Sequence, residues 1–475
     1  MAQVHDVMRQ AVLLMLSPCP VWKKGGTSMP SELTTNVQDL LLQRNYVGIK
    51  RVLEKNHPSD IAKVLEDLLP DAAGFVFRLL PKDLAIDVFD FMDVDSKQML
   101  LHSLSSDMVS TILNEMSQDD RTELFEELPA KVVKRYLSLL SEKERRVANM
   151  LLGYPEDSAG RLMTTAFVDL KEHQTVDEAL AHVRATAPNK ETIYHLYVIS
   201  RDRKLLGGLS LRELILAPGS KLIREIMNPE IKNVSTDTDQ EDVARIFEDY
   251  DLIVLPVVDR EKRLVGIMTY DDVLDIVREE DTEDIHLMGG LGAPEETYFS
   301  LSIAEDVKRR GGWLALLILL ESFSSNILKT YSASLETAIA LTFFIPMLID
   351  TGGNAGTQSS TLVTRGLATG EIDKDHGRTI FAREMTTGII LGVILGAFAY
   401  VRAYFMQGDP QIGLAVGISL SVVVIISNLV GALLPLIATK LKWDPAVMAG
   451  PFLTTIVDVV GLIVYFEVAK LIMGV

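Results

Sequence analysis

The sequence predicts a multi-domain membrane protein with an α-helical superhelical N-domain, an α+β tandem pair and a polytopic α-helical membrane domain of five spans. Three observations predict this class. An apolar region runs from Trp313 to Met473, an apolar residue recurs every 12 positions in the N-terminal part, and a motif is duplicated between residues 160 and 281. The length of 475 residues is too great for a single domain, which agrees with this division.

The charge of the chain is concentrated before the apolar region. Residues 1–311 hold 54 Asp/Glu and 37 Lys/Arg, a net charge of −17, whereas residues 312–475 hold 11 and 9, a net charge of −2. Nucleic-acid binding needs a basic face, so we expect no nucleic-acid partner. An acidic surface can hold cations, although charge that only keeps the protein soluble remains an alternative. The single cysteine, Cys19, excludes an intrachain disulfide and fits a reducing cytoplasm.

Residues 1–31 are predicted to be a disordered extension, and the true start is either Met1 or Met29. The helical-repeat N-domain is predicted over 32–157. Its periodic apolar residues are Leu68, Leu80, Met92, Leu104, Met116, Leu128 and Leu140.

From Leu80 onward, each periodic residue is followed by Pro, Asp or Ser, which favour the N-cap or first turn of a helix. Each unit therefore predicts a helix of about two to three turns. Such short helices cannot bury an apolar face alone, so we expect them to stack into a superhelix. A single irregular helical bundle is the alternative.

Residues 158–281 contain a duplication. Leu162–Thr165 matches Ile226–Pro229, 64 residues further on, and Arg203–Glu213 matches Lys262–Asp272, 59 residues further on. Both copies show the order strand, glycine, strand, Ser/Thr, acid, helix. This order resembles a tandem pair of CBS (cystathionine-β-synthase-type) domains.

The CBS resemblance implies an adenine nucleotide such as ATP in the cleft of the pair. The ribose-binding aspartate of such domains matches Asp272, and Thr269 precedes it as the second candidate contact. The first copy has Glu213 at the position that matches Asp272.

A connecting helix is predicted over 282–311, after an acid-dense stretch. If this stretch is helical, Asp272, Asp275 and Glu279 lie on one face and repel one another. A bound cation would remove that cost, and a solvated charged helix is the alternative. The connector ends on Lys308–Arg310, a basic flank of the kind found on the cytoplasmic side of membrane spans.

The membrane domain, residues 312–475, divides into apolar segments near the length of about 20 residues that crosses a bilayer. The five predicted spans are 312–328, 337–364, 384–405, 411–439 and 446–472. Basic residues between the spans lie mostly on the side of Lys308–Arg310. The positive-inside rule therefore places the N-terminus in the cytoplasm and the C-terminus outside, in a cell (inner or plasma) membrane crossed several times.

The second span carries an oxygen-bearing stripe. Asp350, Asn354 and Gln358 are spaced i, i+4, i+8 and share one face of a helix. Nearby glycines at 352, 353 and 356 allow either close packing or a local break that frees carbonyls. Packing explains the glycines but not a carboxylate inside a span, so the stripe predicts a functional site.

In the fifth span, Asp458 shares a face with Thr454 and Gly461. The middles of the predicted spans hold no basic side chain for it, which predicts a permeating cation. Ligands that are all oxygen suit hard ions such as Mg²⁺ or Ca²⁺, and no predicted span contains His or Cys for softer metals. Because Mg²⁺ sheds water reluctantly, we expect a wide site that contacts it through waters.

The motifs Gly352–Ser359, Asp458–Leu462 and Thr282–His286 together resemble the MgtE family of Mg²⁺ channels and transporters. The resemblance covers about residues 32–475. It implies a homodimer in a lipid bilayer, with a pore on the two-fold axis, five spans per subunit and a connecting "plug" helix.

The resemblance places the family's selectivity aspartate on Asp458. The chain has Gly450 and Thr454 where one family member has Asn and Ala. The candidate pore contacts are Asp458, Thr454, Gly450, Asp350 and Asn354. The cytosolic Mg²⁺-sensing acids implied by the resemblance are Asp251, Asp272, Asp275, Glu283, Asp284, Glu241 and a residue of the N-domain, Asp119 or Asp120.

The function implied is Mg²⁺ uptake, without enzymatic activity, that closes when cytosolic Mg²⁺ bridges the N-domain, CBS and plug surfaces. A proton-coupled transporter that uses Asp350 and Asp458 is the alternative. An intramembrane metalloprotease is excluded because none of the 8 histidines forms a His-Glu-x-x-His motif. A sensor without a pore would leave Asp458 unexplained.

Overall fold

The computed structural model describes residues 31–291, 303–331, 339–372 and 376–474. The predicted extension, apart from Ser31, and residues 292–302 of the predicted connector lie outside this range. The chain divides into two compact units, one up to Val273 and one from Leu274 onward, and each is described by itself.

The first unit begins with consecutive short helices. They are α1 (Glu32–Leu42), α2 (Tyr46–Leu53), α3 (Pro58–Asp67), α4 (Pro70–Phe77), α5 (Lys82–Asp90), α6 (Val94–Ser103), α7 (Ser106–Glu115), α8 (Gln118–Glu126), α9 (Ala130–Leu139) and α10 (Glu142–Leu151). From α3 to α10 they begin at residues 58, 70, 82, 94, 106, 118, 130 and 142. This constant interval confirms the 12-residue repeat, whereas the superhelical arrangement stays a prediction.

The predicted helix caps are only partly used. Asp93 and Ser141 accept hydrogen bonds from backbone N–H groups three residues ahead, as N-caps do. Ser105 and Ser117 occupy the N-cap position without such a bond. The Ser117 hydroxyl donates instead to Asp120, one of the candidate sensing acids.

Residues 158–273 form two copies of a small α/β unit. Their elements are α11 (Ala159–Leu162), β1 (Asp169–Lys171), α12 (Val176–Thr186), β2 (His195–Ile199), β3 (Leu205–Ser210), α13 (Leu211–Leu216), α14 (Ile223–Ile226), β4 (Val234–Ser235), α15 (Gln240–Tyr250), β5 (Val254–Val258) and β6 (Leu264–Thr269). Each sheet has three strands, in the orders β1-β2-β3 and β4-β5-β6, with one parallel and one antiparallel pairing. The duplication read from the sequence is therefore confirmed.

The two copies pack closely against each other at one strand glycine in each copy. A Cβ atom at Gly207 would lie 2.4 Å from the carbonyl oxygen of Asn228, and a Cβ atom at Gly266 would lie 2.4 Å from the sulfur of Met163. Asn228 precedes the second copy and Met163 precedes the first, so the leading segment of each copy covers the glycine of the other. Both positions need glycine because a side chain would separate the copies.

The second unit contains the long helices. They are α16 (Tyr270–Met288), which belongs to this unit from Leu274 onward, α17 (Ile303–Thr330), α18 (Ile345–Ala368), α19 (Gly377–Gln407), α20 (Pro410–Leu441) and α21 (Pro451–Met473). The predicted connector thus comprises the end of α16 and the start of α17. In the described part of the chain, four helical segments are long and apolar enough to cross a membrane, namely α17, α19, α20 and residues 446–473. The second predicted span corresponds to α18, which does not meet that criterion.

Candidate functional site

Asp458 lies inside the helix bundle. Its side chain is only 8% exposed, and its Oδ1 atom is buried without a hydrogen-bond partner in the described structure. Its electrostatic neighbours are the carboxyl groups of Glu321 on α17 and Asp350 on α18. A buried carboxylate oxygen without a donor is costly, and a cation would satisfy it.

Helix α18 has two faces of opposite character. Asp350, Asn354 and Gln358 are all exposed in the single chain, as the predicted stripe requires. The helix is unbroken from Ile345 to Ala368, so it does not contain the local break that the glycines would permit. An exposed polar face on a helix of this bundle is unsuited to lipid.

The glycine face of α18 serves close packing. A Cβ atom at Gly352 would lie 2.7 Å from Val423 on α20, and one at Gly353 would lie 3.1 Å from the methyl group of Thr454 on α21. Thr454, a candidate pore contact, therefore places its methyl group against α18. These contacts hold α18 against the helix that carries Asp458.

Gly450 is the N-cap residue of α21 and touches the end of α16. A Cβ atom at Gly450 would lie 2.0 Å from the backbone carbonyl oxygen of Met288, which is far below contact distance. Asp281 on α16 also forms an ion pair with Arg365 on α18, at 3.8 Å. The end of α16, where the predicted connector begins, thus contacts the helices that carry the candidate pore residues.

The sequence reasoning missed Glu384. It stands at the first position of the predicted third span, next to Arg383, and there resembles a flanking charge. In the structure α19 begins earlier, at Gly377, and Glu384 is only 8% exposed. Its Oε2 atom lies 2.8 Å from the hydroxyl oxygen of Ser359.

The first unit brings candidate sensing acids of the N-domain and the CBS pair together. Gln118 on α8 accepts two hydrogen bonds from Thr165, at 2.9 Å from its N–H and 2.6 Å from its hydroxyl, and so joins the two domains. Asp119 and Asp120 follow Gln118, and both interact electrostatically with Asp272 at the start of α16. We call Asp90, Asp119, Asp120, Glu191, Asp271 and Asp272 the acidic cluster.

Burial and repulsion from neighbouring carboxyl groups raise the pKa values of four members of the acidic cluster, Asp90, Asp119, Glu191 and Asp272. Burial is the main cause for Asp272, whose pKa is raised to about 7, with further contributions from Asp271 and Asp120. Burial, followed by Asp120, raises the pKa of Asp90 to about 7. Burial and Asp272 raise the pKa of Asp119 well above its usual range. The ionised cluster therefore carries an electrostatic cost that a divalent cation would relieve.

The described residues do not form a closed metal site. No group of three or more His, Cys, Asp or Glu side chains within the described ranges is arranged to hold a metal ion. Asp90, Asp271 and Glu191 were not predicted from the sequence; Asp271 belongs to the acid-dense stretch, but Asp90 and Glu191 stand apart from it. The acidic cluster has carboxylate oxygens, which are suitable ligands for Mg²⁺.

The other candidate sensing acids are not members of the acidic cluster. Glu241 forms an ion pair with Arg245 on α15, at 3.0 Å, and Asp275 forms one with Arg278 on α16, at 3.3 Å. Asp251 is exposed and ends α15 in a left-handed conformation, with φ of 48°. Glu283 and Asp284 lie in the last turns of α16, within the second unit.

Asp272 and Glu213, the acids at matching positions of the two copies, have similar local roles. Asp272 accepts a hydrogen bond from the Thr269 hydroxyl at 2.6 Å. In the first copy, Glu213 forms a capping box with Ser210, accepting from its N–H at 2.7 Å and its hydroxyl at 2.8 Å. The matching acids thus each stabilise the start of the helix that follows the third strand of their copy.

The raised pKa values predict how stability depends on pH without divalent ions. The folded protein holds protons on Asp272 and Asp90 up to about pH 7, whereas unfolded aspartates release them near pH 3.9. Between these values the folded state binds more protons, so the free energy of unfolding should fall as pH rises from about 4 to 7. Thermal unfolding in a chelator across this range tests the sign.

Added Mg²⁺ should stabilise the protein most above about pH 7, where the cluster is ionised, and little below about pH 5. The Asp272→Asn variant should show a shallower pH dependence than the unmodified protein. A free energy of unfolding that rises with pH across this window would contradict the assignment of these pKa values.

Comparison with protein families and known proteins agrees with the domain order. A divalent cation transporter family model matches residues 345–468, an MgtE intracellular N-domain model matches 56–157, and a CBS model matches 223–279. The magnesium transporter MgtE of Thermus thermophilus is 40% identical over 449 residues, covering 94% of this chain and 99% of the relative.

The magnesium transporter MgtE of Bacillus subtilis is 31% identical over 445 residues, covering 91% of this chain and 98% of the relative. A crystal structure of the cytosolic domain of the Mg²⁺ channel MgtE in complex with ATP is 39% identical, with a TM-score of 0.49, and covers 51% of this chain and 99% of that one. The matches to the two transporters extend over nearly the whole of each, and the divalent cation transporter model covers the helices that carry Asp350 and Asp458. The chain therefore belongs to the MgtE family of magnesium transporters, which are not enzymes.

Proposed function

We propose that the protein is a homodimeric, Mg²⁺-selective channel or transporter for magnesium uptake, and that Mg²⁺ bound between the N-domain, the CBS pair and α16 closes it. Membership of the MgtE family supports the magnesium-transport part of this proposal. The main structural support for a pore is the exposed polar face of α18. Asp350, Asn354 and Gln358 lie on this face, in a region otherwise suited to lipid. A second copy or an aqueous path must cover that face.

In this proposal α18 is the second of five spans and adds to the four apolar segments. Its 24 residues are long enough to cross a bilayer, and its polar and glycine residues explain why its hydropathy is low. Basic residues at the ends of the helices favour the orientation with the N-terminus in the cytoplasm and the C-terminus outside. The proposed domain division follows the predicted boundaries, with residues 158–281 as the CBS pair and 312–475 as the membrane domain.

Asp458 is proposed to bind Mg²⁺ in the path, with Asp350, Asn354, Thr454 and the backbone of Gly450 along it. The support is the buried, unpartnered Oδ1 atom and the two further carboxyl groups nearby. Hydrated Mg²⁺ keeps several waters, so a single carboxylate in contact with its inner waters suffices for recognition.

Gating is proposed to use the acidic cluster. Without Mg²⁺, ionised Asp119, Asp120 and Asp272 repel, which favours separation of the N-domain from the CBS pair. With Mg²⁺, the ions bridge these surfaces and favour the closed arrangement. A ligand shifts such an equilibrium only by its differential affinity for the two states, and bridging sites that exist in one state supply that difference.

The close contact between the backbone of Met288 and Gly450 predicts the effect of adding a single methyl group at residue 450. Gly450→Ala would place a Cβ atom 2.0 Å from the Met288 carbonyl oxygen, so the end of α16 must move away. Closure should weaken, and the internal Mg²⁺ needed for half-inhibition of flux should rise about tenfold, which corresponds to about 1.4 kcal/mol. Gly312→Ala is a matched control, because a Cβ atom there meets nothing within 4 Å. Equal inhibition of Gly450→Ala and the unmodified protein by internal Mg²⁺ would show that the contact between Met288 and Gly450 does not contribute to closure.

A nucleotide at the CBS pair is proposed for the Thr269–Asp272 end of the cleft. The related cytosolic domain that was crystallised with ATP motivates this, and Asp272 is the matching acid. Asp272 also belongs to the acidic cluster, so the proposal predicts that ATP and Mg²⁺ influence each other's binding. Calorimetric titration of ATP with and without Mg²⁺ measures this coupling.

The experiment that tests the proposed function is Mg²⁺ flux into liposomes that contain the purified protein. A channel should respond to an imposed membrane potential, and flux should fall as Mg²⁺ inside rises. The carboxyl groups of Glu321 and Asp350 near the buried Asp458 favour proton coupling as the second candidate function. Proton coupling requires flux to follow an imposed pH gradient instead. Absence of Mg²⁺ flux under every gradient would contradict both.

A further inference from the structure

Glu321 is a carboxyl group near the middle of a helix that is long and apolar enough to cross a membrane. It lies on α17, about 16 Å from Arg310 and about 12 Å from Lys329 along the helix axis, at about 1.5 Å per residue. Its side chain is exposed in the single chain, and it forms no ion pair within the described part of the chain. An acid at this depth is unsuited to lipid, so it requires a partner or an aqueous path.

The packing of α17 shows which side of the helix Glu321 occupies. Helix α17 packs on α21. In α17, which is described along its whole length, Ser324 is the one buried residue, so Ser324 faces α21. Glu321 precedes Ser324 by three residues and therefore lies on the same side of the helix. The electrostatic interaction of Glu321 with Asp458 on α21 agrees with this placement.

The interface between α17 and α21 has two sides of different character. On one side, a cavity of about 460 Å³ with mostly apolar walls lies between the two helices. Its walls include Leu320, Phe323 and Ile327 of α17 and Phe452, Ile456 and Val459 of α21. At about 100° per residue, Phe323 and Ile327 lie on one side of Ser324, and Glu321 lies on the other. Glu321 is therefore on the side of the interface opposite to the apolar cavity.

Helices α17 and α21 each carry a buried oxygen atom that has no hydrogen-bond partner in the described part of the chain. These atoms are Oγ of Ser324, which is 3% exposed, and Oδ1 of Asp458, which is 8% exposed. A buried oxygen without a partner is costly. Carboxylate oxygens are suitable ligands for Mg²⁺, and a hydroxyl group can bond to a water molecule that the ion retains. The unpartnered oxygens thus indicate a hydrated cation beside Glu321.

We propose that Glu321 is a further Mg²⁺-binding residue of the ion path, and that it determines the preference of the path for divalent over monovalent cations. The proposal rests on the proposed ion path at Asp458. Because Mg²⁺ keeps several waters, Glu321 and Ser324 contact the waters of an ion at Asp458 without replacing them. Two neighbouring carboxylates repel each other, and a divalent ion offsets both charges whereas K⁺ offsets only one.

Glu321→Gln tests this role in the purified full-length protein, by Mg²⁺ flux into liposomes. Glutamine keeps the size and one oxygen but removes the charge. The external Mg²⁺ concentration for half-maximal flux should rise about tenfold, and the maximal rate should stay within about twofold. Competition by K⁺ should increase, and Glu321→Asp, which keeps the charge, should restore the discrimination against K⁺. Glu371→Gln, an exposed acid before α19, is the matched control and should have no effect.

The hydroxyl of Ser324 has its own matched control. Ser324→Ala should raise the half-maximal Mg²⁺ concentration by about twofold to threefold, because one contact to a water of the ion is lost. Ser322→Ala should leave it unchanged, because the Ser322 hydroxyl donates to the carbonyl group of Ile318 on its own helix. Equal effects of the two substitutions would contradict the contact between Ser324 and the ion.

Thermal unfolding in a chelator separates ion binding from a structural role of Glu321. Removing one of two repelling carboxylates should leave the Tm of Glu321→Gln unchanged or raise it, whereas loss of a structural contact lowers the Tm. A lowered Tm together with unchanged Mg²⁺ dependence would assign a structural role instead and overturn the proposal. Normal discrimination against K⁺ in Glu321→Gln, alongside loss of uptake in Asp458→Asn, would also overturn it and leave the ion path intact. Unchanged flux in Asp458→Asn would contradict the ion path itself.

Discussion

Asp458→Asn is expected to keep the fold and lose most Mg²⁺ binding in the membrane domain. Asparagine has the size of aspartate and retains one oxygen, but it removes the charge of a side chain that is only 8% exposed and lacks a partner for Oδ1. The lost interaction with a charged ligand is about 2–3 kcal/mol, which corresponds to roughly a hundredfold in affinity. Mg²⁺ uptake by purified variants in liposomes measures the effect.

Two further variants separate charge from geometry. Asp458→Glu keeps the charge but fills a site already enclosed by neighbouring helices, so it should lose less binding and alter selectivity against K⁺. Asp350→Asn should have the smaller effect, because Asp350 is exposed in the single chain whereas Asp458 is buried. If Asp458→Asn transports Mg²⁺ at the unmodified rate, with unchanged competition by K⁺, the pore assignment is wrong.

Neutralising Asp272, Asp275 and Glu283 together is expected to abolish the inhibition of transport by internal Mg²⁺. The triple variant Asp272→Asn, Asp275→Asn, Glu283→Gln should continue to transport when internal Mg²⁺ is high. It should also lose the protection that Mg²⁺ gives the connector against proteolysis. The reason is that bridging ions require ionised carboxylates on both surfaces, and the variant removes them from α16.

The single substitutions should contribute unequally. Asp272 should account for most of the effect, because burial and its neighbours Asp271 and Asp120 raise its pKa to about 7, and Mg²⁺ relieves that cost. Asp275 should contribute least, because it is exposed and already paired with Arg278. Asp242→Asn, an exposed acid paired with Arg245 at 3.2 Å, is the matched control. Normal shut-off in the triple variant would exclude these acids as the sensor.

The domain order and the positions of most helices could be predicted because they depend on local patterns. The 12-residue spacing of helix starts follows from cap residues and apolar periodicity, which act within one turn. The duplicated strands and the apolar lengths of four spans are likewise local properties. The stripe on α18 required only that its three polar residues share one helix face, and the structure leaves that face exposed.

Contacts between distant segments could not be predicted in the same way. The sequence contains Asp90 and Glu191 as ordinary surface acids. Packing within the N-domain brings Asp90 near Asp120, and packing of the N-domain on the CBS pair brings Glu191 near Asp120. The same limitation applies to Gly450, whose small size matters because the carbonyl group of Met288 approaches it.

Glu384 shows why composition and periodicity were insufficient inside the membrane part. Beside Arg383, at the start of an apolar run, it has the sequence pattern of a solvated flank. Its burial depends on the earlier start of α19 and on the approach of Ser359 and Asn428 from two other helices. Local patterns in the chain determine which residues form helices and which face is apolar, because caps and periodicity act over a few residues. The three-dimensional packing determines which carboxyl groups are buried, paired or left open, because burial and electrostatic repulsion depend on neighbours from distant parts of the chain.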